Sequence, residues 1–269
     1  MKDYARLGYR LTLFTLSLSV TITIACGVSL AELLSRRRID RTPYARFCFH
    51  GAARSLGFRV RQQGDVSTEP VLYLSNHISW SDIPVLGGQS PLRFLSKAEV
   101  GKWPVIGWLA GQAGTLFIKR GGGKSLHCRQ EIANTLTGGQ SVLIFPEGTT
   151  TTGLTVLPFH SRLLWAAKDA GVNIQPISIG YLRDGQPDHL APFIGDDEFQ
   201  SHILRMLKRP SVDVGVIFHP KVTIDEHSDL DALAAELHQT VSTGLKQIHR
   251  CRSLDDVTST GGMTARQTP

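Results

Sequence analysis

Cysteine is scarce in this sequence, with four residues among 269. They lie far apart, no Cys-x-x-Cys pair occurs, and no histidines and cysteines cluster at the spacing of a metal site. The pattern therefore predicts no bound metal and no disulfide framework. We interpret the cysteines as free thiols in a reducing compartment: Cys26, Cys48, Cys128 and Cys251.

Several other motifs are missing. The sequence has no Gly-x-Ser-x-Gly nucleophile elbow, which argues against a serine hydrolase. It has no zinc-finger spacing and no basic run interleaved with aromatic residues, so we expect no nucleic acid partner. The net charge of +6 instead favours anionic partners such as phosphate groups or an acidic membrane surface.

Long uncharged runs are rare, and the one near the amino terminus, residues 11–31, is long enough to cross a bilayer as a helix of about 31 Å. Basic residues flank it on both sides, and their slight excess on the downstream side favours a cytoplasmic catalytic domain at a bacterial-type inner membrane. A cleaved signal peptide and an interfacial helix are the alternatives. The basic residues are Lys2, Arg6 and Arg10 before the run, and Arg36, Arg37, Arg38 and Arg41 after it.

The rest of the chain alternates apolar strand patterns with helical ones, which predicts an α/β fold with its site along one sheet edge. We expect a membrane anchor at 1–40, a catalytic domain at 41–250 and a disordered tail at 251–269. Strands are predicted at 58–61, 71–74, 92–95, 114–118, 141–145, 172–181, 212–218 and 221–224, and helices at 42–56, 125–136, 161–170 and 198–207 and from 228 onward.

Two segments allow more than one interpretation. Pro176 removes a backbone donor inside a predicted strand, which suggests an edge strand, a bulge or a pocket wall. The apolar segment 102–111 carries two of the four tryptophans. It is either a packed core helix or a surface that dips into lipid.

The strand pattern at 71–74 breaks into the polar stretch 76–82, which contains His77 and Asp82. Five residues correspond to about 140° around a helix, so this pair can meet only across a turn. We therefore predict His77 at the carboxyl end of a strand and Asp82 at the start of the next helix. A carboxylate on one imidazole nitrogen fixes the tautomer and stabilises the imidazolium, so such a pair can deprotonate a hydroxyl.

Polar motifs follow two further strands. Arg120 ends one of them and precedes three glycines, which suits the binding of an anionic head group. Glu147 and Gly148, with two threonines, follow the strand at 141–145. A carboxylate, a glycine and hydroxyls gathered beyond a buried strand are typical of a site.

Taken in order, these segments resemble the four sequence blocks of the lysophosphatidic acid acyltransferase (PlsC-type, 1-acyl-sn-glycerol-3-phosphate acyltransferase) family. The blocks here are NHISWSD at 76–82, GTLFIKR at 114–120, FPEGTT at 145–150 and QPISI at 175–179. The resemblance implies the glycerolipid acyltransferase fold, a single mixed sheet flanked by helices, here with an amino-terminal membrane-anchoring helix.

The resemblance also implies transfer of a fatty acyl group from acyl-CoA or acyl-carrier protein to a lysolipid hydroxyl, with no bound cofactor. His77 would be the base and Asp82 its partner. By analogy Phe117, Arg120, Glu147 and Gly148 would bind the acceptor, and Pro176 would shape the acyl-donor pocket. Backbone N–H groups of the His77 turn or of the Glu147–Gly148 turn would stabilise the oxyanion.

The acceptor is open at this stage. Lysophosphatidic acid is the first expectation because it is the commonest family substrate. The segment 145–161 is also similar to the lyso-ornithine lipid acyltransferase branch, in which Arg120 would meet a carboxylate instead of a phosphate. Three other functional classes account for fewer of the four sequence blocks: a lipid ester hydrolase, a metal-dependent hydrolase and a non-catalytic lipid-binding protein.

Overall fold

The computed structural model describes residues 1–118, 125–225 and 227–250, so the predicted tail lies outside the described residues. Its helices are α1 (Lys2–Ser35), α2 (Thr42–Leu56), α3 (Asp82–Gly87), α4 (Ile106–Gln112), α5 (Ser125–Thr137), α6 (Trp165–Ala170), α7 (Phe199–Lys208) and α8 (Leu230–Arg250). Its strands are β1 (Phe58–Gln63), β2 (Leu72–Ser75), β3 (Arg93–Lys97), β4 (Leu116–Ile118), β5 (Val142–Ile144), β6 (Ile174–Arg183), β7 (Gln186–Pro187) and β8 (Val212–Phe218).

The strands form one mixed sheet in the order β1-β8-β6-β2-β5-β3-β4, with β7 paired to β6. The five strands from β6 to β4 are parallel to one another, whereas β8 is antiparallel to β6 and parallel to β1. The carboxyl ends of β2, β5 and β6 therefore lie at one edge, where polar residues that follow them can meet. The expectation of a single mixed sheet flanked by helices is confirmed.

Helices cover both faces of the sheet because its central strands are apolar on both sides. All four residues of β2 are buried, with Tyr73 facing the core beneath α2, α3 and α7. Leu72 and Leu74 face the opposite core, beneath α5, α6 and α8. Full burial of each such leucine contributes about 1.5–3 kcal/mol, so the strand that precedes His77 is rigidly held.

α1 and α2 form an antiparallel pair that lies against the catalytic domain at both ends of α1. Near the start of α1, the buried Arg10 donates to the carbonyls of Met206 (3.3 Å) and Arg209 (2.7 Å) at the end of α7. Near its end, Glu32 pairs with Arg41 at 2.6 Å. The sequence suggested only a basic flank at Arg10, whereas in the structure its guanidinium bonds to carbonyls at the carboxyl end of α7, where helix carbonyls run out of intrahelical donors.

The structure decides both ambiguous segments. The strand that contains Pro176 lies in the middle of the sheet, so the edge-strand interpretation is wrong. The proline is tolerated because its carbonyl still accepts from the amide of His219 (3.0 Å). The His219 carbonyl, which a backbone donor at position 176 would otherwise meet, accepts from the side-chain amide of Gln175 (2.9 Å) instead. In the segment 102–111, Trp103 and Trp108 are 41% and 43% exposed, so it is a surface and not a packed core.

One late element is smaller than expected. The segment 221–224 forms an isolated bridge between Ile174 and Val222 and not a strand. α8 agrees with the sequence pattern, because the side chains predicted to form its apolar stripe are all buried: Leu230, Leu233, Leu237, Val241, Leu245 and Ile248.

Candidate active site

His77 lies two residues beyond β2, and Asp82 is the first residue of α3, as the spacing predicted. The imidazole Nδ1 is 2.8 Å from Asp82 Oδ2. The Asp82 side chain is fully buried, whereas that of His77 remains 19% exposed. The carboxylate is therefore isolated from water, while the ring keeps an open side.

The Asp82 carboxylate is held by several donors at once. Its Oδ2 accepts from the backbone N–H groups of Ile78 (2.7 Å) and Ser79 (3.0 Å) as well as from His77. Its Oδ1 accepts from the hydroxyl of Tyr181 at 2.7 Å. Since Asp82 acts as the acceptor in each of these bonds, His77 donates from Nδ1 and presents Nε2 as the nitrogen with a free lone pair.

The His77 ring is fixed in orientation by Phe145, which stacks on it with ring centroids 3.9 Å apart and planes 12° apart. Within the part of the chain that the structure describes, Nε2 has no hydrogen-bond partner. A lone pair on a fixed, partly exposed ring is the arrangement that a general base requires.

Glu147, which the sequence predicts to bind the acceptor, instead bonds to the protein backbone. Its side chain is buried, and its two carboxylate oxygens accept from the backbone N–H groups of His77 and Leu157, each at 2.7 Å. Burial raises the pKa of Glu147, and the two backbone donors act in the opposite direction. The carboxylate thus joins the His77 turn to the loop after β5, and both oxygens are engaged before any substrate binds.

We expect Glu147→Gln to lower kcat by about 10- to 100-fold with little change in the acceptor KM. The amide keeps one acceptor oxygen but turns an NH₂ group towards the other backbone donor. One of the two hydrogen bonds that join the His77 turn to the loop after β5 is therefore lost. Steady-state kinetics with varied acceptor would measure this. Glu131→Gln on the exposed side of α5 is the matched control. A raised acceptor KM with unchanged kcat would support the predicted head-group role instead.

The proposed oxyanion donors are only partly available. The amides of His77, Ile78 and Ser79 already donate to the carboxylates of Glu147 and Asp82, so these three donors of the first proposed turn are occupied. In the second turn, Gly148 has a φ of 71°, a left-handed conformation that favours glycine, and its N–H donates to the carbonyl of Phe145.

The other predicted residues are spread along the sheet. Phe117 lies in β4, three strands from β2, which is roughly 14 Å in the sheet direction. Pro176 is buried opposite Leu74, before the strand reaches the site edge. Arg120 lies outside the described residues. The substrate-binding roles of these residues stay predictions.

The insertion between β7 and β8, whose partners the sequence left open, supports the site. The amide of Phe193 donates to the carbonyl of Ile78 (3.0 Å), and its carbonyl accepts from the hydroxyl of Thr150 (2.5 Å). The indole of Trp80 donates to Nδ1 of His202 in α7 at 3.0 Å. The insertion therefore fixes both the loop that carries His77 and the loop that carries Glu147. In the described residues, no group of three or more His, Cys, Asp and Glu side chains could hold a metal ion.

Comparisons with known proteins agree with this geometry. A family profile described as Acyltransferase matches residues 57–180. The chain is 48% identical over 203 residues, 72% of this chain and 77% of the relative, to a lyso-ornithine lipid O-acyltransferase of Pseudomonas aeruginosa. It is 29% identical over 191 residues, 71% of this chain and 75% of the relative, to a 1-acyl-sn-glycerol-3-phosphate acyltransferase of Neisseria gonorrhoeae.

Among solved structures, the fold is similar to that of a 1-acyl-sn-glycerophosphate acyltransferase from Thermotoga maritima. The TM-score is 0.71 at 21% identity, over 94% of this chain and 100% of the other. At this identity the likeness concerns the fold alone.

Proposed function

The chain belongs to the acyltransferase family and is an O-acyltransferase that acts on lysolipids; we propose that its acceptor is a lyso-ornithine lipid. The observation that carries this proposal is the 48% identity to a lyso-ornithine lipid O-acyltransferase, against 29% to a 1-acyl-sn-glycerol-3-phosphate acyltransferase. This reverses the order expected from the commonest family substrate. Lysophosphatidic acid is the second candidate.

The geometry supports direct transfer from donor to acceptor, without an acyl-enzyme. His77 Nε2 takes the proton of the acceptor hydroxyl as its oxygen attacks the thioester carbon, and Asp82 stabilises the resulting imidazolium through Nδ1. The tetrahedral intermediate then expels the thiolate. The imidazolium protonates this sulfur, which returns His77 to its starting state and leaves an ester and a free thiol.

The donor in this proposal is a fatty acyl thioester of coenzyme A or of acyl-carrier protein. The family requires no metal cofactor. The ornithine head group has a carboxylate, and Arg120 is the proposed cation for it, since a guanidinium binds a carboxylate in bidentate fashion. The role follows from the sequence block, because Arg120 lies outside the described residues.

The enzyme is membrane-associated through α1, which in the described part of the chain is the one helix long and apolar enough to cross a bilayer. We place α1 in the interface and not across the membrane. Arg10 and Ser29 lie about 28 Å apart along the helix, close to the thickness of the hydrocarbon core, yet both bond to the same catalytic domain, Arg10 to Arg209 and Ser29 to Gln112 of α4 at 3.2 Å. The exposed Trp103 and Trp108 would then face the same interface, on the cytoplasmic side of the inner membrane.

This arrangement predicts that both ends of α1 lie on one side of the membrane. In a variant without native cysteines, Lys2→Cys and Arg38→Cys should both react with a membrane-impermeant maleimide in inverted vesicles, and neither should react in intact spheroplasts. Labelling of the two positions from opposite sides would establish a spanning helix instead.

The acceptor is tested by supplying the purified protein in detergent with labelled palmitoyl-CoA or palmitoyl-carrier protein. Lyso-ornithine lipid and lysophosphatidic acid are compared in parallel, with His77→Ala as the control. We expect the higher kcat/KM with lyso-ornithine lipid and loss of that activity in the variant. A higher kcat/KM with lysophosphatidic acid would reverse the acceptor assignment. Absence of acyl transfer to both acceptors by folded wild-type protein would contradict the proposed function.

A further inference from the structure

The hydroxyl of Tyr181 lies in a short hydrogen-bonded chain that ends on the catalytic dyad. It donates to Asp82 Oδ1 at 2.7 Å and accepts from the hydroxyl of Ser81 at 2.9 Å. Since the phenol has one proton and the carboxylate can only accept, the direction of both bonds is fixed. Tyr181 comes from β6, so residues 99 positions apart in the sequence meet here.

The carboxylate of Asp82 depends on this bond for its orientation. Three donors converge on Oδ2, whereas the bond from Tyr181 is the one that Oδ1 receives in the described residues. The terminal torsion of an aspartate has a broad, roughly two-fold preference, so the side chain alone does not select a rotation. In a fully buried position, an unsatisfied Oδ1 would compete for the donors that now hold Oδ2.

We propose that Tyr181 is a positioning residue for acyl transfer, whose hydroxyl fixes the Asp82 carboxylate so that Oδ2 stays on Nδ1 of His77. The inference rests on the proposed function, because acyl transfer is its main readout. The phenol ring is well suited to this task, since it packs edge-on against Phe58 with centroids 5.8 Å apart and is itself buried. Burial also raises the pKa of Tyr181 well above its usual value, so the phenol remains a donor throughout the working pH range.

The bond has an electrostatic effect as well as a geometric one. A donor to a carboxylate disperses part of its negative charge, so its removal makes the dyad hold a proton more tightly. The other charged or titratable groups that face this cluster are Glu147, on the backbone of His77, and Asp188, which is paired with Arg183 at 2.7 Å. Because these groups are unchanged when the phenol hydroxyl is removed, a shift in the acid limb of the pH profile would report the loss of the bond itself.

The test is Tyr181→Phe, which removes the hydroxyl and keeps the ring. With labelled palmitoyl-CoA and the acceptor that the wild-type enzyme uses, kcat/KM should fall by about 10- to 100-fold, the effect of a lost hydrogen bond to a buried charge. The acid limb of its pH profile should move up by about one pH unit. The Nδ1 proton resonance of His77, measured without substrate, should shift or broaden.

Tyr73→Phe is the matched control. Its hydroxyl is also buried and also bonds to a serine, Ser90, at 3.2 Å, but no carboxylate is involved. It should lose stability while keeping the wild-type acid limb. If Tyr181→Phe does not fold, 3-fluorotyrosine at position 181 provides a stronger donor with the same packing and should move the acid limb to lower pH.

A folded Tyr181→Phe enzyme with wild-type kcat/KM and an unchanged acid limb would overturn the proposal, as would a loss of activity with an unchanged acid limb. An unchanged acid limb with 3-fluorotyrosine would overturn it equally. Absence of acyl transfer by the wild-type protein would instead contradict the proposed function, so the two failures are distinguishable.

Discussion

Replacing His77 with alanine is expected to lower kcat/KM for acyl transfer by about 10²- to 10⁴-fold, the range in which a general base contributes. The reason is that the ring is held between Asp82 and Phe145 with its Nε2 open, and alanine offers no group that could accept the hydroxyl proton. The radiolabelled transfer assay measures this directly, with circular dichroism to establish that the variant is folded.

His127→Ala is the matched control for this substitution. The His127 side chain is 76% exposed on α5 and lies 3.3 Å from Glu131, so its removal should leave the rate unchanged. Near-normal transfer by folded His77→Ala would mean that another group deprotonates the acceptor, and the proposed mechanism would have to be abandoned.

Asp82→Asn is expected to have a similarly large effect, about 10⁴-fold in kcat, for a different reason. Asparagine has the shape of aspartate, but its NH₂ group must face either Tyr181 or the donors that now converge on Oδ2. The His77 ring then loses the acceptor that keeps its proton on Nδ1, and the nitrogen that faces the substrate becomes protonated. Kinetics and thermal unfolding should be measured together, because a buried donor facing a donor also lowers stability.

Asp229→Asn provides the comparison. Asp229 also stands at a helix start and accepts from the amides of Asp231 (2.9 Å) and Ala232 (3.3 Å), but it holds no histidine. Since asparagine is an equally good helix cap, this variant should keep both its rate and its stability. An Asp82→Asn enzyme that keeps most of its rate would show that His77 does not need the carboxylate.

The elements of the fold were largely predictable because they depend on local patterns. The apolar run before His77 and the spacing of three and four along α8 each specify an element from its own residues. The pairing of His77 with Asp82 was predictable for the same reason, since five residues of chain leave one turn for the two side chains to meet.

The remainder of the site depends on contacts between distant residues. Glu147 meets the backbone of His77 from 70 positions away, and Tyr181 meets Asp82 from 99. A sequence pattern indicates that a carboxylate follows a strand, but it does not indicate whether backbone amides will occupy the carboxylate first. The same limit explains Pro176: the sequence shows that a backbone donor is missing, but not that the side-chain amide of Gln175 bonds to the His219 carbonyl in its place.

The attachment of α1 has a consequence for the order in which the protein is made. Arg10 bonds to Met206, which follows it by 196 positions, and at about 5–20 residues per second the ribosome needs roughly 10–40 s to supply this partner. β1 also waits, for a partner 154 positions away, because within the described residues it pairs with β8 alone. We expect stalled nascent chains that end after α5 to sediment already with membranes, and chains that stay soluble would contradict this. Membrane attachment would then come first, and the catalytic domain would fold on the lipid surface from which it later draws its substrate.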